Sequence, residues 1–281
     1  MSRLSDIFCL LKQDGRPGLI TFVTAGDPDI DRSSQILRQL PEAGADIIEL
    51  GMPFSDPMAD GPAIQASSRR ALLNGINLEK TLDLVTDFRK GNQNTPIVLM
   101  GYYNPIYIYG LDNFVEDAAD SGVDGLIVVD LPLEETEMCD ALSGSGIDLI
   151  YLTAPTTDDN RLAKVAERAS GFIYYVSVTG TTGTKSAKSQ DVATAVKRVC
   201  RYTDLPIAVG FGIKTPEQAA DIGRHADAAV VGSALVVKIS EHLDADGKGT
   251  DRCVTAVLET VSGLAAGVRS VKKNAKNTTA E

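Results

Sequence analysis

The chain has 281 residues, of which 43% are hydrophobic and 23% are charged, and its formal net charge at pH 7 is -11. This apolar content is sufficient for one large core or two modest ones. The negative charge argues against nucleic acid or an anionic membrane as a partner. An anionic small molecule stays possible, because backbone amides bind phosphate without any net positive charge.

The cysteines and histidines form no recognisable metal or nucleophile motif. The four cysteines lie far apart without a C-x-x-C pair, which predicts neither a zinc site nor disulfides. His225 and His242 have no ligand-like neighbours in the sequence, so metal catalysis and Ser–His or Cys–His chemistry have little support. Residues 1–15 lack a signal-peptide pattern, and no apolar stretch approaches about 18 residues. These features predict a cytoplasmic protein.

In chain order, the sequence predicts an amphipathic helix over residues 1–12, followed by short β-branched runs that alternate with amphipathic segments. The predicted strands are 19–24, 46–50, 96–101, 125–129, 148–153, 172–176, 206–209 and 228–231. The predicted helices lie near 31–42, 78–90, 112–121, 134–143, 158–169, 189–201, 215–223 and 250–270. Because the strands are near-continuous apolar runs, we expect them to be parallel and buried on both faces.

This alternation predicts an α/β fold, a single-domain (β/α)8 TIM barrel. We expect the N-terminal helix to cover the bottom of the barrel and an extra helix, residues 63–73, to follow the second strand. Residues 1–272 are assigned to the barrel, and residues 273–281 to a polar, disordered tail. A doubly wound sheet is the competing architecture, but regular units without a long interruption favour closure.

Two connections are longer than a turn requires. Residues 51–75 contain a loop of Gly, Pro, Ser and Asp before the extra helix, and residues 178–189 are rich in Gly, Thr, Lys and Ser without apolar periodicity. Both follow the carboxyl ends of predicted strands, where barrel enzymes keep their active sites. We interpret residues 178–189 as a mobile lid over such a site.

Two carboxylates in this region are the strongest candidates for chemistry. Glu49 ends an apolar run that begins at Ile47, and Asp60 lies in the loop that follows. Strand alternation places Ile47 and Glu49 on one face; if that face lines the barrel, burial raises the pKa of Glu49 and suits it for acid–base catalysis. The alternative is a structural carboxylate that pairs with a lysine or caps a helix. The buried position and the Gly/Pro-framed loop favour catalysis.

Glycine-containing segments follow the sixth, seventh and eighth predicted strands. Glycine lets backbone N–H groups approach a ligand closely, and phosphate sites are common after the last strands of barrels. The alternative is that each glycine only forms a turn. The candidate phosphate-binding residues are Thr182, Gly183, Phe211, Gly212, Gly232 and Ser233.

Apolar and aromatic residues cluster near the predicted strand ends. The segment Gly-Tyr-Tyr-Asn-Pro at 101–105 follows the third strand. Such residues suit a flat, apolar pocket, and ordinary barrel packing is an equally good explanation. The other residues expected near the rim are Phe22, Ile64, Ile127, Phe172 and Tyr174.

Several short motifs occur in a fixed order along nearly the whole chain. The longest is ELGMPFSDPMADG at 49–61. The others are FVTAGDP at 22–28, GYYNP at 101–105, DLP at 130–132, VTGTTG at 178–183, GFGI at 210–213 and GS at 232–233. Together they resemble the family of tryptophan synthase α subunits.

The resemblance implies reversible retro-aldol cleavage of indole-3-glycerol phosphate to indole and glyceraldehyde 3-phosphate in tryptophan biosynthesis, with no cofactor in this chain. It implies that Glu49 shuttles protons at indole C3 and the side-chain hydroxyl, and that Asp60 accepts a hydrogen bond from the indole N–H. It further implies an α2β2 complex in which a β subunit carries pyridoxal phosphate and consumes indole. The implied partner contacts are Pro53, Asp56 and Pro57. The implied substrate contacts are Phe22, Ile64, Tyr102, Ile127, Tyr174, Thr182, Gly183, Phe211, Gly212, Gly232 and Ser233.

Two other functions are open on the residues alone. A different phosphosugar barrel enzyme, such as an isomerase or epimerase, explains the phosphate glycines but not the carboxylate loop. A catalytically silent barrel that only activates a partner is favoured if Glu49 or Asp60 is missing, and both are present.

Overall fold

A computed structural model describes residues 2–176, 189–210 and 212–273. In these ranges nine parallel strands form one barrel wall with the order β5-β4-β3-β2-β1-β9-β8-β7-β6. The strands are β1 (Gly18–Thr24), β2 (Ile47–Gly51), β3 (Ile97–Gly101), β4 (Gly125–Val128), β5 (Asp148–Leu149), β6 (Tyr151–Thr153), β7 (Ile173–Val176), β8 (Ile207–Gly210) and β9 (Ala228–Val231). The predicted (β/α)8 barrel is therefore confirmed.

The fifth predicted strand explains why nine strands make an eightfold barrel. It is divided at Ile150 into β5, which pairs with β4, and β6, which pairs with β7. The Ile150 N–H still donates to the carbonyl oxygen of Leu126 at 2.9 Å. The two ends of the strand order are thus consecutive in the chain, and the wall closes there.

The helices lie outside the wall, except for α1 at its bottom and α3 at its top. They are α1 (Arg3–Gln13), α2 (Ile30–Ala43), α3 (Pro62–Leu73), α4 (Leu78–Arg89), α5 (Tyr103–Tyr109), α6 (Leu111–Ser121), α7 (Glu137–Leu142), α8 (Asp159–Arg168), α9 (Ser189–Val199), α10 (Pro216–Gly223), α11 (Ser233–Ser240) and α12 (Asp251–Arg269). All predicted helices are present, and α5 and α11 are additional. At the start of α10, Thr215 and Gln218 form a complete capping box.

Aspartates at the bottom of the barrel join neighbouring strands. Asp46 precedes β2 and accepts a hydrogen bond from the N–H of Leu19 at 2.8 Å. Asp124 precedes β4 and accepts one from the N–H of Ile97 at 2.7 Å. Each carboxylate satisfies a backbone donor at the start of the preceding strand, where the ladder has no partner for it.

The lumen is filled from below by α1, as predicted. Leu4, Phe8 and Leu11 are buried against lumen residues of the strands. The rings of Phe8 and Phe172 lie 5.7 Å apart between centroids. The expectation that Phe172 lies near the rim is therefore wrong: it precedes β7 and belongs to the bottom layer.

The predicted tail begins at Lys273, whose N–H donates to the carbonyl oxygen of Gly15 at 2.7 Å. Its ammonium group also pairs with Asp227 at 3.1 Å. Residues 274–281 lie outside the described ranges, as do residues 178–188 of the predicted lid.

Candidate active site

Glu49 faces the barrel lumen near the carboxyl end of β2. Ile47, on the same face of the strand, belongs to the lumen core, and Phe22 on β1 is in register with Glu49. Glu49 is 1% exposed, and its Oε1 atom has no hydrogen-bond partner among the described residues. The sequence prediction of a buried lumen carboxyl is thus reproduced by the structure.

The surroundings of Glu49 favour its neutral form. Burial raises the pKa of Glu49 to about 8, because a carboxylate without partners is poorly solvated there. Tyr174 packs against the same lumen core. The pKa of Tyr174 is raised well above its ordinary value, mainly by burial and to a smaller extent by the negative charge that Glu49 carries when ionised. A carboxyl that is protonated at neutral pH can donate a proton to a substrate.

Asp60 lies at the entrance of a pocket above β1, β2 and β3. Burial raises its pKa to about 6, and a hydrogen bond from the Tyr102 hydroxyl acts in the opposite direction. The same hydroxyl oxygen accepts a hydrogen bond from the N–H of Ala59 at 3.0 Å. Tyr102 therefore holds the loop at two successive residues. Its ring also contacts Phe54, with centroids 5.3 Å apart.

The pocket encloses about 270 Å³ of space, which includes open solvent at its mouth. Its lining residues are Phe22, Gly51, Met52, Asp60, Ile64, Ser68, Met100, Gly101, Tyr102 and Val129. Four of them, Phe22, Asp60, Ile64 and Tyr102, were predicted as site residues. Glu49 lies one layer deeper, two residues before Gly51 on the same strand face.

Other lining residues were missed from the sequence. Met100 follows Val98 by two residues on β3, so strand alternation could have indicated it. Ser68 lies on α3, and nothing local distinguishes it from its neighbours. Conversely, the predicted contact Ile127 is 0% exposed within the lumen core and does not line the pocket.

The predicted phosphate-binding residues are only partly described. Gly232 is the N-cap of α11 and Ser233 is its first residue, so the start of this helix follows β9 at the top of the barrel. Gly212 has φ +60°, and a Cβ there would meet no atom of the described residues within 4 Å. Its backbone conformation favours glycine. Thr182, Gly183 and Phe211 lie outside the described residues.

The predicted partner contacts differ in their exposure to solvent. Pro53 is buried, Pro57 is half-buried and Asp56 is exposed. Next to them Met58 is 84% exposed. Met58 was not among the predicted partner contacts.

Among the described residues, no helix has both the length and the apolar character needed to cross a membrane. Within the same ranges, no three His, Cys, Asp or Glu side chains are grouped as a metal ion requires.

A buried carboxyl beneath a pocket at the carboxyl ends of barrel strands defines a (β/α)8-barrel enzyme. The family model for the tryptophan synthase alpha chain matches residues 8–268. The chain belongs to this family.

Solved structures agree with this assignment. Tryptophan synthase subunit alpha from Legionella pneumophila is 37% identical, with a TM-score of 0.88, and the match covers 96% of this chain and 100% of that one. A chain of Mycobacterium tuberculosis tryptophan synthase is 37% identical, with a TM-score of 0.86, and the match covers 95% of this chain and 98% of that one. The protein is a carbon–carbon lyase of tryptophan biosynthesis that cleaves indole-3-glycerol phosphate, a reaction that needs no cofactor.

Proposed function

We propose that Glu49 is the proton shuttle of this reaction. Protonated Glu49 delivers its proton to indole C3, which makes the ring an electron acceptor. The resulting carboxylate then removes the proton of the side-chain hydroxyl; the carbon–carbon bond at C3 breaks, its electron pair returns to the ring, and an aldehyde forms. Glu49 ends protonated, as it began. The observation that carries this proposal is the buried carboxyl with a pKa of about 8, which starts the cycle in its acid form.

Asp60 has the complementary role. Protonation at C3 leaves positive charge on the indole nitrogen, and a carboxylate that accepts a hydrogen bond from this N–H stabilises the charge. With a pKa of about 6, Asp60 is mostly ionised at pH 7 while Glu49 is mostly protonated. The pair therefore supports activity between about pH 6 and pH 8, and kcat/KM should fall on both sides of this window.

Backbone amides hold the phosphate in this proposal. The start of α11 presents the N–H groups of Gly232 and Ser233, and a helix N-terminus carries partial positive charge. Gly212 adds a backbone N–H, and Gly183 belongs to the same predicted set. Phe22, Ile64 and Tyr102 supply the apolar walls for the indole, with Ile127 and Tyr174 deeper in the lumen.

We further propose that the chain works in the cytoplasm with a β subunit in an α2β2 complex, without nucleic acid or a membrane as partner. Pyridoxal phosphate belongs to that β subunit, which consumes the indole. Asp56 and Pro57 lie on accessible surface next to the pocket loop, which supports a contact there; Pro53 is buried and contributes from beneath. Residues 1–272 act as one lyase domain.

Indole release from indole-3-glycerol phosphate tests the catalytic roles. Glu49→Gln should lower kcat by at least about 1,000-fold, within the range of about 10²–10⁴ for acid–base groups, while circular dichroism stays unchanged. Asp60→Asn should lower kcat by more than about tenfold. Glu116→Gln, on the exposed face of α6, is the matched control and should leave kcat unchanged. Near-normal turnover in Glu49→Gln would contradict the assignment.

A further inference from the structure

Helix α3 is attached to the barrel by a buried ion pair whose residues do not line the pocket. Asp27, in the connection after β1, has a fully buried side chain, and Arg70 of α3 is 19% exposed. The Arg70 Nε atom donates to one oxygen of Asp27 at 2.7 Å, and the Nη2 atom donates to the other at 2.9 Å. Such a bidentate pair fixes orientation as well as distance.

Two further hydrogen bonds connect the same elements. The hydroxyls of Thr24, the last residue of β1, and Ser67 of α3 lie 2.6 Å apart and are buried. The side-chain amide of Asn74 donates to the carbonyl oxygen of Pro28 at 2.5 Å. Ser67, Arg70 and the C-cap residue Asn74 thus attach α3 to the end of β1 and to the connection that follows it.

Site residues immediately precede α3 and lie within it. Gly61 is the N-cap of the helix, and Asp60 immediately precedes it. Ile64 and Ser68 of the helix line the pocket. With a rise of about 1.5 Å per residue, Arg70 lies roughly 12 Å along the helix axis from its first residue. Because Asp60 lies two residues before the first residue of α3, the attachment of this helix at Arg70 contributes to the position of Asp60, together with the hydrogen bonds of Tyr102.

We propose that Arg70 and Asp27 are positioning residues that hold Asp60 over the indole nitrogen through α3. The proposal rests on the role of Asp60 given above. Buried ion pairs contribute little to stability compared with apolar residues of the same shape, so stability alone is a weak reason for this one. A displacement of about 1 Å at a catalytic group can cost about 100-fold in rate, so orientation is a sufficient reason.

A double-mutant cycle separates positioning from general stability. Arg70→Met should lower kcat for indole release by at least about tenfold in the parent chain, but by less than about threefold in Asp60→Asn, because the group it positions is already lost. Arg70→Lys keeps the charge without the bidentate fork, so it should recover stability more than kcat. The affinity for glyceraldehyde 3-phosphate should stay within about twofold, since the start of α11 is untouched.

Arg89→Met is the matched control. Arg89 forms a comparably buried pair with Asp124, with side chains 7% and 4% exposed, but at the bottom of the barrel. It should lower the urea midpoint while kcat of the folded enzyme changes by less than about threefold. All variants are assayed where circular dichroism shows them folded.

The outcomes are distinct. If Arg70→Met lowers kcat equally in both backgrounds, or no more than Arg89→Met does, Arg70 is only structural and the proposal is overturned. If Asp60→Asn itself costs less than about tenfold, the role of Asp60 fails and this proposal fails with it. A large Asp60 effect with an unaffected Arg70→Met enzyme overturns the positioning role alone.

Discussion

Glu49→Gln should make the protein more stable as well as inactive, and the gain should depend on pH. The pKa of Glu49 is about 8 in the folded protein, compared with 4.5 for an ordinary glutamate. Above pH 4.5 the unfolded chain releases this proton while the folded protein keeps it. Ionisation therefore favours unfolding progressively between pH 4.5 and 8, and below pH 4.5 the effect is absent.

The size of this pH-dependent stability difference follows from the folded and unfolded pKa values of Glu49. Each pH unit in that interval corresponds to about 1.4 kcal/mol, so at pH 7 the parent has lost about 3 kcal/mol that the neutral glutamine does not lose. The free energy of unfolding of Glu49→Gln relative to the parent should thus increase by about 3 kcal/mol from pH 4 to pH 7. Replacing a titratable group that catalysis requires thus stabilises the fold, as is common at active sites.

Urea unfolding of both proteins at pH 4, 5, 6 and 7, followed by circular dichroism, measures this difference. Glu116→Gln, exposed on α6, provides the control and should change the free energy of unfolding by less than about 0.5 kcal/mol at every pH. A difference for Glu49→Gln that stays constant within about 1 kcal/mol from pH 4 to pH 7 would show that Glu49 is not held neutral by burial.

Three further expectations follow from the contacts. Tyr102→Phe removes the hydrogen bond that lowers the pKa of Asp60, so the acid limb of kcat/KM against pH should move upward; an unmoved limb contradicts the contact. Asp124→Ala leaves two arginines and one N–H without their acceptor and should cost about 3–5 kcal/mol in urea unfolding; a cost below about 1 kcal/mol contradicts this. Gly212→Ala and its control Gly144→Ala each introduce a Cβ at positive φ with no described atom within 4 Å, so each should lower the free energy of unfolding by about 1–2 kcal/mol. Only Gly212→Ala should raise KM, and equal KM values in the two variants argue against a phosphate site at Gly212.

The barrel and its deepest carboxyl were predictable because their signals are local. Alternation with period two places Ile47 and Glu49 on one face, whatever the rest of the chain does. The division of the fifth strand at Ile150 was not predictable, since it depends on which neighbouring strand pairs with each half. The position of Phe172 also depends on tertiary structure, since only the contact with Phe8 of α1 shows that it lies in the bottom layer and not near the rim.

Helices α5 and α11 were missed because their composition resembles that of strands. The sequence of α11, SALVVKIS, is apolar and β-branched, and Leu235, Val236 and Ile239 are buried in the helix. The sequence of α5, YNPIYIY, is aromatic and short. Both types of residue favour strands in isolation, so tertiary packing decides against propensity here. This error also hid the helix start at Ser233, which supports the proposed phosphate site.

Three carboxylates at the top of this barrel have different roles because their partners differ, not because their sequence surroundings do. Glu49 has an unpartnered oxygen within the lumen core, so burial keeps it neutral and suits it to donate a proton. Asp60 accepts a hydrogen bond from Tyr102 and ionises at a lower pH. Asp27 accepts both donors of Arg70, a residue 43 positions away, and its charge is used to hold a helix. A carboxylate near a strand end therefore indicates a site, but its function depends on groups that only the fold brings to it.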